Sequence, residues 1–414
     1  MKANERSGLC VAYSGVHQAY QLALAAHEEG ILQAFYCSIY NAPRKWGHHL
    51  GRVIGQKALA SRKVDGFPPE KAVEYPWPLL MKGLRDKMNP KRANDWLTVN
   101  DAFDRWAARR LEKSPPRVAV GGETCDLHML ETAKRLGVIR VHDCPQLHPI
   151  FLEEVLKEAG ERAGMAVKFS PDLPAMAERK KREYELAEKL LIYSDVHRRS
   201  FLRGGFPEER LFQCPLWVDP ALWHRDEPVR LTAASQPLRL LFVGSINLRK
   251  GIPFLLEALK KCGKAVKLTL LGPRNPECEP LLREAGDSIE ILGPQTKAEL
   301  RKTYARHDVF VLPSVADSFG FVSLEAMACG LPAIVTDNCG APVPDPSWRV
   351  PPMNPDALAA RILMYAENRA LAAEHAAVAQ AFAAEFGPET YRRNIRGLYR
   401  KLLNESASPC SSSL

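Results

Sequence analysis

The chain has no apolar run near the ~20 residues that span a bilayer, so a transmembrane helix is not expected. Its ten cysteines include no Cys-x-x-Cys, and their scatter supports neither a zinc knuckle nor a dense disulfide framework. They read as buried or incidental thiols. No Gly-x-Gly-x-x-Gly follows either opening strand, which argues against a nicotinamide-dependent dehydrogenase. No known reader motif accompanies the positive charge, so nucleic acid is not an expected partner. The start, MKANERSGLCVAYSG, lacks the long apolar core of a secretory signal, and a cytoplasmic location is expected. No internal repeat is present, and the only low-complexity tract is the end, ESASPCSSSL (405–414), which reads as disordered.

What is present is an ordinary globular composition, 46% hydrophobic and 25% charged, over 414 residues. That length exceeds one hydrophobic core and predicts two domains. The net charge of +9 is unevenly placed. Residues 41–115 hold 16 Lys/Arg against 8 Asp/Glu, and four of the seven tryptophans: Trp46, Trp77, Trp96 and Trp106. Such a mixture suits an anionic partner, such as a membrane surface or an acidic or phosphorylated acceptor. It equally suits a solvated basic face around core tryptophans.

Short apolar runs alternate with helical patterns almost throughout, which predicts parallel sheets covered by helices. LCVAYSG, LQAFYCSIY, VAVGGE, VIRVHD and LLIYSD read as strands of a first domain over residues 1–215. A long, basic, mostly helical excursion at about 42–115 interrupts them. Residues 216–237, rich in Pro and small polar residues, read as a linker. A second series then runs over 238–387: LRLLFVG, VKLTLLG, IEILG, DVFVLPS and PAIVT, each followed by a helix. A last helix, 388–404, is expected to pack back on the first domain. Ligands of open α/β sheets bind beyond the carboxyl ends of the strands, so the cleft between the two domains is the place to look for chemistry.

Two segments carry that chemistry. In ADSFGFVSLEAMACGLPAIVT (316–336), Asp317 and Glu325 flank a helix start at Phe319, Gly320, Phe321 and Val322. Amide groups at a helix start attract phosphate, and a carboxylate with two oxygens can accept from a diol. The same acids would also serve as a helix N-cap and a surface charge. In FVGSINLRKGIPFLLEAL (242–259), a strand ends at Gly244, and Arg249 and Lys250 precede a helix. Adjacent cations there oppose the helix dipole, an unfavourable placement that suggests a bound diphosphate.

Taken together these segments resemble the glycosyltransferase group 1 pattern of glycosyltransferase family 4, strongly over about 185–380 and more loosely before it. The resemblance implies the GT-B fold, α/β with two Rossmann-like, doubly wound domains facing across a cleft. It implies that Arg249 and Lys250 take the donor diphosphate, that Glu325 takes the ribose, and that loops at Gly272 and at Leu292-Gly293 flank the nucleobase. Asp317 stands where the family has glutamate, and Pro215-Leu216-Trp217-Val218-Asp219 replaces its Asn-Gly-Val-Asp run. In the first domain, Gly15 matches a glycine loop that approaches the donor phosphates, with His17 and Gln18 as polar contacts. His142 matches a functional histidine at a strand end, with His148 in reserve; either could also be an ordinary loop histidine. No Asp-x-Asp occurs, so the cations and helix amides would do the work of a divalent metal, and no metal or other cofactor is expected beyond a nucleotide diphosphate sugar, UDP- or GDP-linked, as donor substrate. The expected activity is a retaining, metal-independent hexosyl transfer to a glycan or lipid-linked acceptor in cell-surface polysaccharide or glycolipid synthesis, with the enzyme peripheral at the inner membrane face. A nucleotide-sugar epimerase or hydrolase on the same fold, and a non-catalytic nucleotide-sugar-binding subunit, remain as competing readings.

Overall fold

The computed structural model describes residues 7–16, 18–54, 59–88, 96–167, 173–226, 232–233 and 235–405. Two wholly parallel sheets organise it. The first carries β1 (Leu9–Tyr13), β2 (Leu32–Cys37), β3 (Ala72–Glu74), β4 (Val118–Gly122), β5 (Ile139–Asp143), β6 (Lys189–Ile192) and β7 (Leu211–Gln213), in spatial order β3-β2-β1-β4-β5-β6-β7. The second carries β8 (Leu238–Val243), β9 (Val266–Leu271), β10 (Ile289–Leu292), β11 (Val309–Leu312), β12 (Ala333–Thr336) and β13 (Arg349–Val350), in order β10-β9-β8-β11-β12-β13. Each order reverses once, between β1 and β4 and between β8 and β11, and a crevice opens at the strand ends there. The central strands are continuous apolar runs such as VFVL and AIVT, because helices cover both sheet faces and leave no wet side.

The helices of the first lobe are α1 (Ala19–Glu28), α2 (Trp46–Ile54), α3 (Trp77–Met88), α4 (Trp96–Lys113), α5 (Leu127–Leu136), α6 (Pro149–Ala163), α7 (Leu173–Leu186) and α8 (Asp195–Arg203). Those after it are α9 (Ile252–Cys262), α10 (Glu279–Ala285), α11 (Lys297–Ala305), α12 (Phe321–Ala328), α13 (Pro355–Glu367), α14 (Arg369–Ala384) and α15 (Pro388–Glu405). The expected last helix is present. Arg400 pairs with Glu29 at 2.6 Å, and the Tyr399 hydroxyl donates to the Leu22 carbonyl at 3.2 Å, so α15 lies on α1 of the first lobe.

One expectation needs correction. The tract 42–115 is not a pure excursion, since β3 pairs with β2 at the sheet edge. Within it α4 also buries Val99, Phe103, Ala107 and Leu111 against the core. The turns beside α2 also reach the core, through Ala42 and Phe67, so the segments that cover it least are α2 and α3 themselves. The 216–237 linker packs closely in its described part. Leu216, Val218 and Trp223 are buried, the Val218 N–H donates to the Phe386 carbonyl at 2.8 Å, and Trp217 packs on Tyr391 at 4.6 Å. The tail after Glu405, and His17, lie outside the described residues. The cysteines from Cys10 to Cys339 are buried free thiols.

Candidate functional site

The cleft forms where the strand ends of the two sheets meet. One cavity of about 250 Å³ has Gln18, Pro145 and Tyr193 on the first-lobe side, and Gly244, Lys250 and the Asp317–Val322 turn on the second. Its position follows from local geometry. Gly251, at φ +76°, caps α9, and a Cβ there would stand 1.9 Å from the Pro313 carbonyl oxygen. Only glycine lets the start of α9 press so closely on the end of β11. That contact places Lys250 beside Asp317, and the two form an ion pair facing the cavity.

Asp317 is held from two sides. Its Oδ2 accepts from the Lys250 ammonium, while its Oδ1 accepts from the Phe319 and Gly320 N–H groups at 3.4 and 3.2 Å. The carboxylate thus caps the turn into α12, whose entry residue Gly320 adopts φ +68°. Burial pushes the Asp317 carboxyl up, yet the Lys250 and Arg249 charges and these hydrogen bonds outweigh it and hold it below the ordinary carboxylate range. The expectation of open amides at this helix start is therefore corrected for Phe319 and Gly320, whose N–H groups are occupied by Asp317. Arg249 lies just behind the pair, its Nε donating to the Ala316 carbonyl at 3.0 Å.

Glu325 sits one turn into α12, half-buried, and accepts from the Tyr304 hydroxyl at 3.3 Å. Burial raises its carboxyl to about 7 against the opposing pull of Tyr304 and Lys297. Gly244 and Gly272 lie against each other at the ends of β8 and β9, and the Gly272 N–H donates to Leu292 at 3.1 Å, which brings the loop before Gly293 alongside. Of these positions Gly244 lines the cavity; Glu325, Gly272, Leu292 and Gly293 do not.

On the first-lobe side, Gln18 is 3% exposed, and its Oε1, among the described residues, has no partner. It faces both the main cavity and an adjoining one lined by Val16, Lys63, Trp217 and Phe321. Gly15 lies in the turn before it, close to the Tyr13 ring, and lines neither.

The two histidines are elsewhere. His142 is fully buried under the cleft floor, bonded through Nδ1 to Asp126 at 2.8 Å, with its ring against Tyr184. Burial lowers its basicity. It belongs to a dense charge network in which Arg179 reaches Asp104 at 2.6 Å, Glu183 at 3.0 Å and Asp101 at 3.1 Å, and Lys180 reaches Glu123 at 2.8 Å. Asp126, His142 and Glu183 are close enough together to ligate a metal ion, but Glu183 already accepts from Arg179 and from the Thr124 N–H. His148 starts α6 among Tyr184, Phe201 and Phe206, where burial takes it down to about 4. A histidine at a strand end suggests catalysis, but strand side chains alternate, and this one points under the sheet rather than into the cleft.

Several cleft residues carried no earlier assignment. Tyr193, whose hydroxyl donates to Asp143 at 2.6 Å, is a cavity wall. Ser318 ties the lobes together: its Oγ donates to the Pro145 carbonyl, and its own carbonyl accepts from Ser194 Oγ, both at 2.7 Å. Ser318 lay within the quoted DSFGF run; nothing in the run itself distinguishes it from a helix-start serine.

Comparison with known proteins bears on family and fold. Residues 237–368 match the family model described as glycosyl transferases group 1. Over 203 residues the chain is 27% identical to the amylovoran biosynthesis glycosyltransferase AmsK of Erwinia amylovora, covering 44% of this chain and 48% of that one. A D-inositol 3-phosphate glycosyltransferase of Pseudarthrobacter chlorophenolicus is 37% identical over 108 residues, 23% of this chain and 26% of that one. The chain thus spans about half or less of the length of these relatives. In fold the likeness is nearly complete. Sucrose-phosphate synthase from Thermosynechococcus elongatus superposes with a TM-score of 0.66 at 18% identity, over 97% of this chain and 100% of that one. HepE from Anabaena, solved in complex with UDP and glucose, gives 0.58 at 14% identity over 95% and 100%. The two lobes form the GT-B fold.

Proposed function

We propose that this chain, whose residues 237–368 belong to the group 1 glycosyltransferases, moves a hexose from a UDP- or GDP-linked donor to a glycan or lipid-linked acceptor. The observation that carries the reading is the Lys250–Asp317 pair set beside Gly244 and the start of α12, facing Gln18 and Tyr193 across one cavity. When the donor enters, its diphosphate takes Lys250 and Arg249, and Asp317 is released toward the sugar hydroxyls. Glu325 receives the ribose, and the loops at Gly272 and Leu292-Gly293 border the base. As the glycosidic bond breaks, negative charge grows on the leaving phosphate, and two preorganised cations lower that barrier without a divalent metal. Attack from the face the phosphate leaves would retain configuration, with the phosphate accepting the acceptor's proton. Gln18, with its buried unpartnered oxygen, is placed to receive a hydroxyl from sugar or acceptor. A polysaccharide or glycolipid acceptor, met at the inner membrane face, is suggested by the amylovoran biosynthesis relative and by the basic first lobe.

A thermal-shift panel of nucleoside diphosphates and their sugars tests this. A matched donor raises the midpoint by mass action. The Arg249→Ala, Lys250→Ala variant should lose that shift and about 2–4 kcal/mol of transition-state stabilisation, a fall of roughly 30- to 1,000-fold in turnover. Unchanged turnover in the double variant, or no shift with any nucleotide, overturns the assignment.

A further inference from the structure

The stripe Trp77, Met81, Leu84 and Met88 runs along α3 at i, i+4, i+7 and i+11, the spacing that ordinarily faces a core. Here it faces outward, with 54%, 53%, 57% and 85% of these side chains exposed, while Lys82 on the opposite side is only 5% exposed. The helix is thus inverted: Lys82 pairs inward with Asp86 and lies over the Trp96 ring at 4.6 Å. Trp46 on α2 meets Trp77 edge-on at 5.3 Å and is itself exposed, extending the apolar face. Five exposed large hydrophobic residues, Trp46, Trp77, Met81, Leu84 and Met88, therefore share this face. Scattered single exposures are ordinary; an aligned group of this kind marks a partner.

We infer that α2 and α3 form a docking surface for an anionic lipid bilayer. Charge selects that occupant. Arg85 and Lys87 are exposed on α3, Arg44 and Arg52 are exposed by α2, and the one acid on α3, Asp86, is neutralised by Lys82. A stripe of Trp, Met and Leu flanked by Arg and Lys is the composition that settles into the headgroup boundary of such a surface. The face is also well placed, because Ser61 and Lys63, in the turn after α2, line the cavity next to Gln18 and Phe321. Docking would bring the cleft rim to the membrane. That link to a lipid-linked acceptor rests on the transferase reading; the surface itself does not.

Co-sedimentation of the full chain with vesicles, measured without any turnover, separates the two. Binding is expected to phosphatidylcholine vesicles containing phosphatidylglycerol at low salt, at least tenfold weaker to phosphatidylcholine alone or at 0.5 M NaCl. A Met81→Ser, Leu84→Ser, Met88→Ser variant, whose changes fall on exposed side chains, should keep its thermal midpoint and lose binding tenfold or more. Arg85→Glu, Lys87→Glu should weaken binding to anionic vesicles only. No sedimentation at low salt, or equal binding by the serine variant, overturns the inference. So does a concentration-dependent dimer that the serine variant abolishes, since a second copy would then be the occupant. Vesicle binding by a chain that binds no nucleotide would leave the docking surface standing and the transferase reading fallen.

Discussion

The two lobes share one topology and use charge in opposite ways. In the second, Lys250 and Asp317 stand at the strand ends and face the cleft, where a ligand can compete for them. In the first, Arg179, Asp104, Glu183, Asp126 and His142 lie beneath the strand ends, bonded to one another and shut away from it. The cleft face of that lobe offers Gln18, Pro145 and Tyr193 instead, an amide, an apolar ring and a phenol. A doubly wound sheet gives both lobes the same crevice; the strand-end loops decide which becomes a charged ligand site and which a shaped wall.

The contrast breaks most visibly at Arg179. Removing one partner of a buried ion network strands the others, at a cost of roughly 3–5 kcal/mol. Arg179→Ala should therefore lower the urea midpoint of the first lobe substantially. Nucleotide affinity, which the proposed function assigns to the second lobe, should stay within about twofold where that lobe remains folded. Loss of nucleotide binding with stability intact would show that the buried network reaches the ligand after all. His142 belongs on the same side of the comparison: as a member of this network, it is expected to matter for stability more than for the chemical step.

A smaller effect sharpens the second lobe. Glu325 loses its proton near pH 7 because burial raises it. Its folded value lies above the ordinary carboxylate value, so its contribution to stability is full below about pH 4.5, the unfolded value, and is lost as pH rises through 7. Ribose binding runs the other way, since the ionised carboxylate is the better acceptor for two hydroxyls. Donor affinity should rise several-fold between pH 6 and 8, and Glu325→Gln should flatten that profile. A profile with the same slope in the variant would assign the titration to another group.

How far the sequence carried these conclusions differs between the lobes for a physical reason. VFVL is apolar throughout and AIVT nearly so because both sheet faces are covered, so five of the six strands of the second lobe and their order along the chain were plain, while the two-residue β13 was not. The paired cations opposing a helix dipole drew attention to the proposed donor side for the same kind of reason, an arrangement that local structure disfavours. AVE, the edge strand β3, is too short and too polar to stand out from its helical surroundings. His142 misled because, in a strand covered on both sides, hydrophobic pattern cannot say which face a polar residue takes. The stripe at Trp77, Met81, Leu84 and Met88 has the period of a core face; only the inward turn of Lys82 shows that it is not one. Ser318 depends on Ser194 and Pro145, more than a hundred residues away in sequence, and no local pattern encodes such a meeting.

That last contact gives the finest test, because it is where the two lobes touch at the site itself. Ser318→Ala removes one neutral hydrogen bond to Pro145 and leaves the carbonyl that accepts from Ser194, so about 1 kcal/mol is expected. If the bond merely holds the lobes together, unfolding should ease slightly, with KM and kcat unchanged. If it sets how the walls approach the donor, the radius of gyration with and without nucleotide should change its difference, and KM should move while kcat holds. Gly340→Ala pushes on the same point from the other side, since its added Cβ would meet the Ser318 carbonyl oxygen at 2.2 Å and Ser194 Oγ at 2.3 Å. Concordant shifts in the two variants would make this clasp the mechanical link between a wall and a charged site. Opposite or absent shifts would leave the lobes joined chiefly through α15 and its contacts with α1.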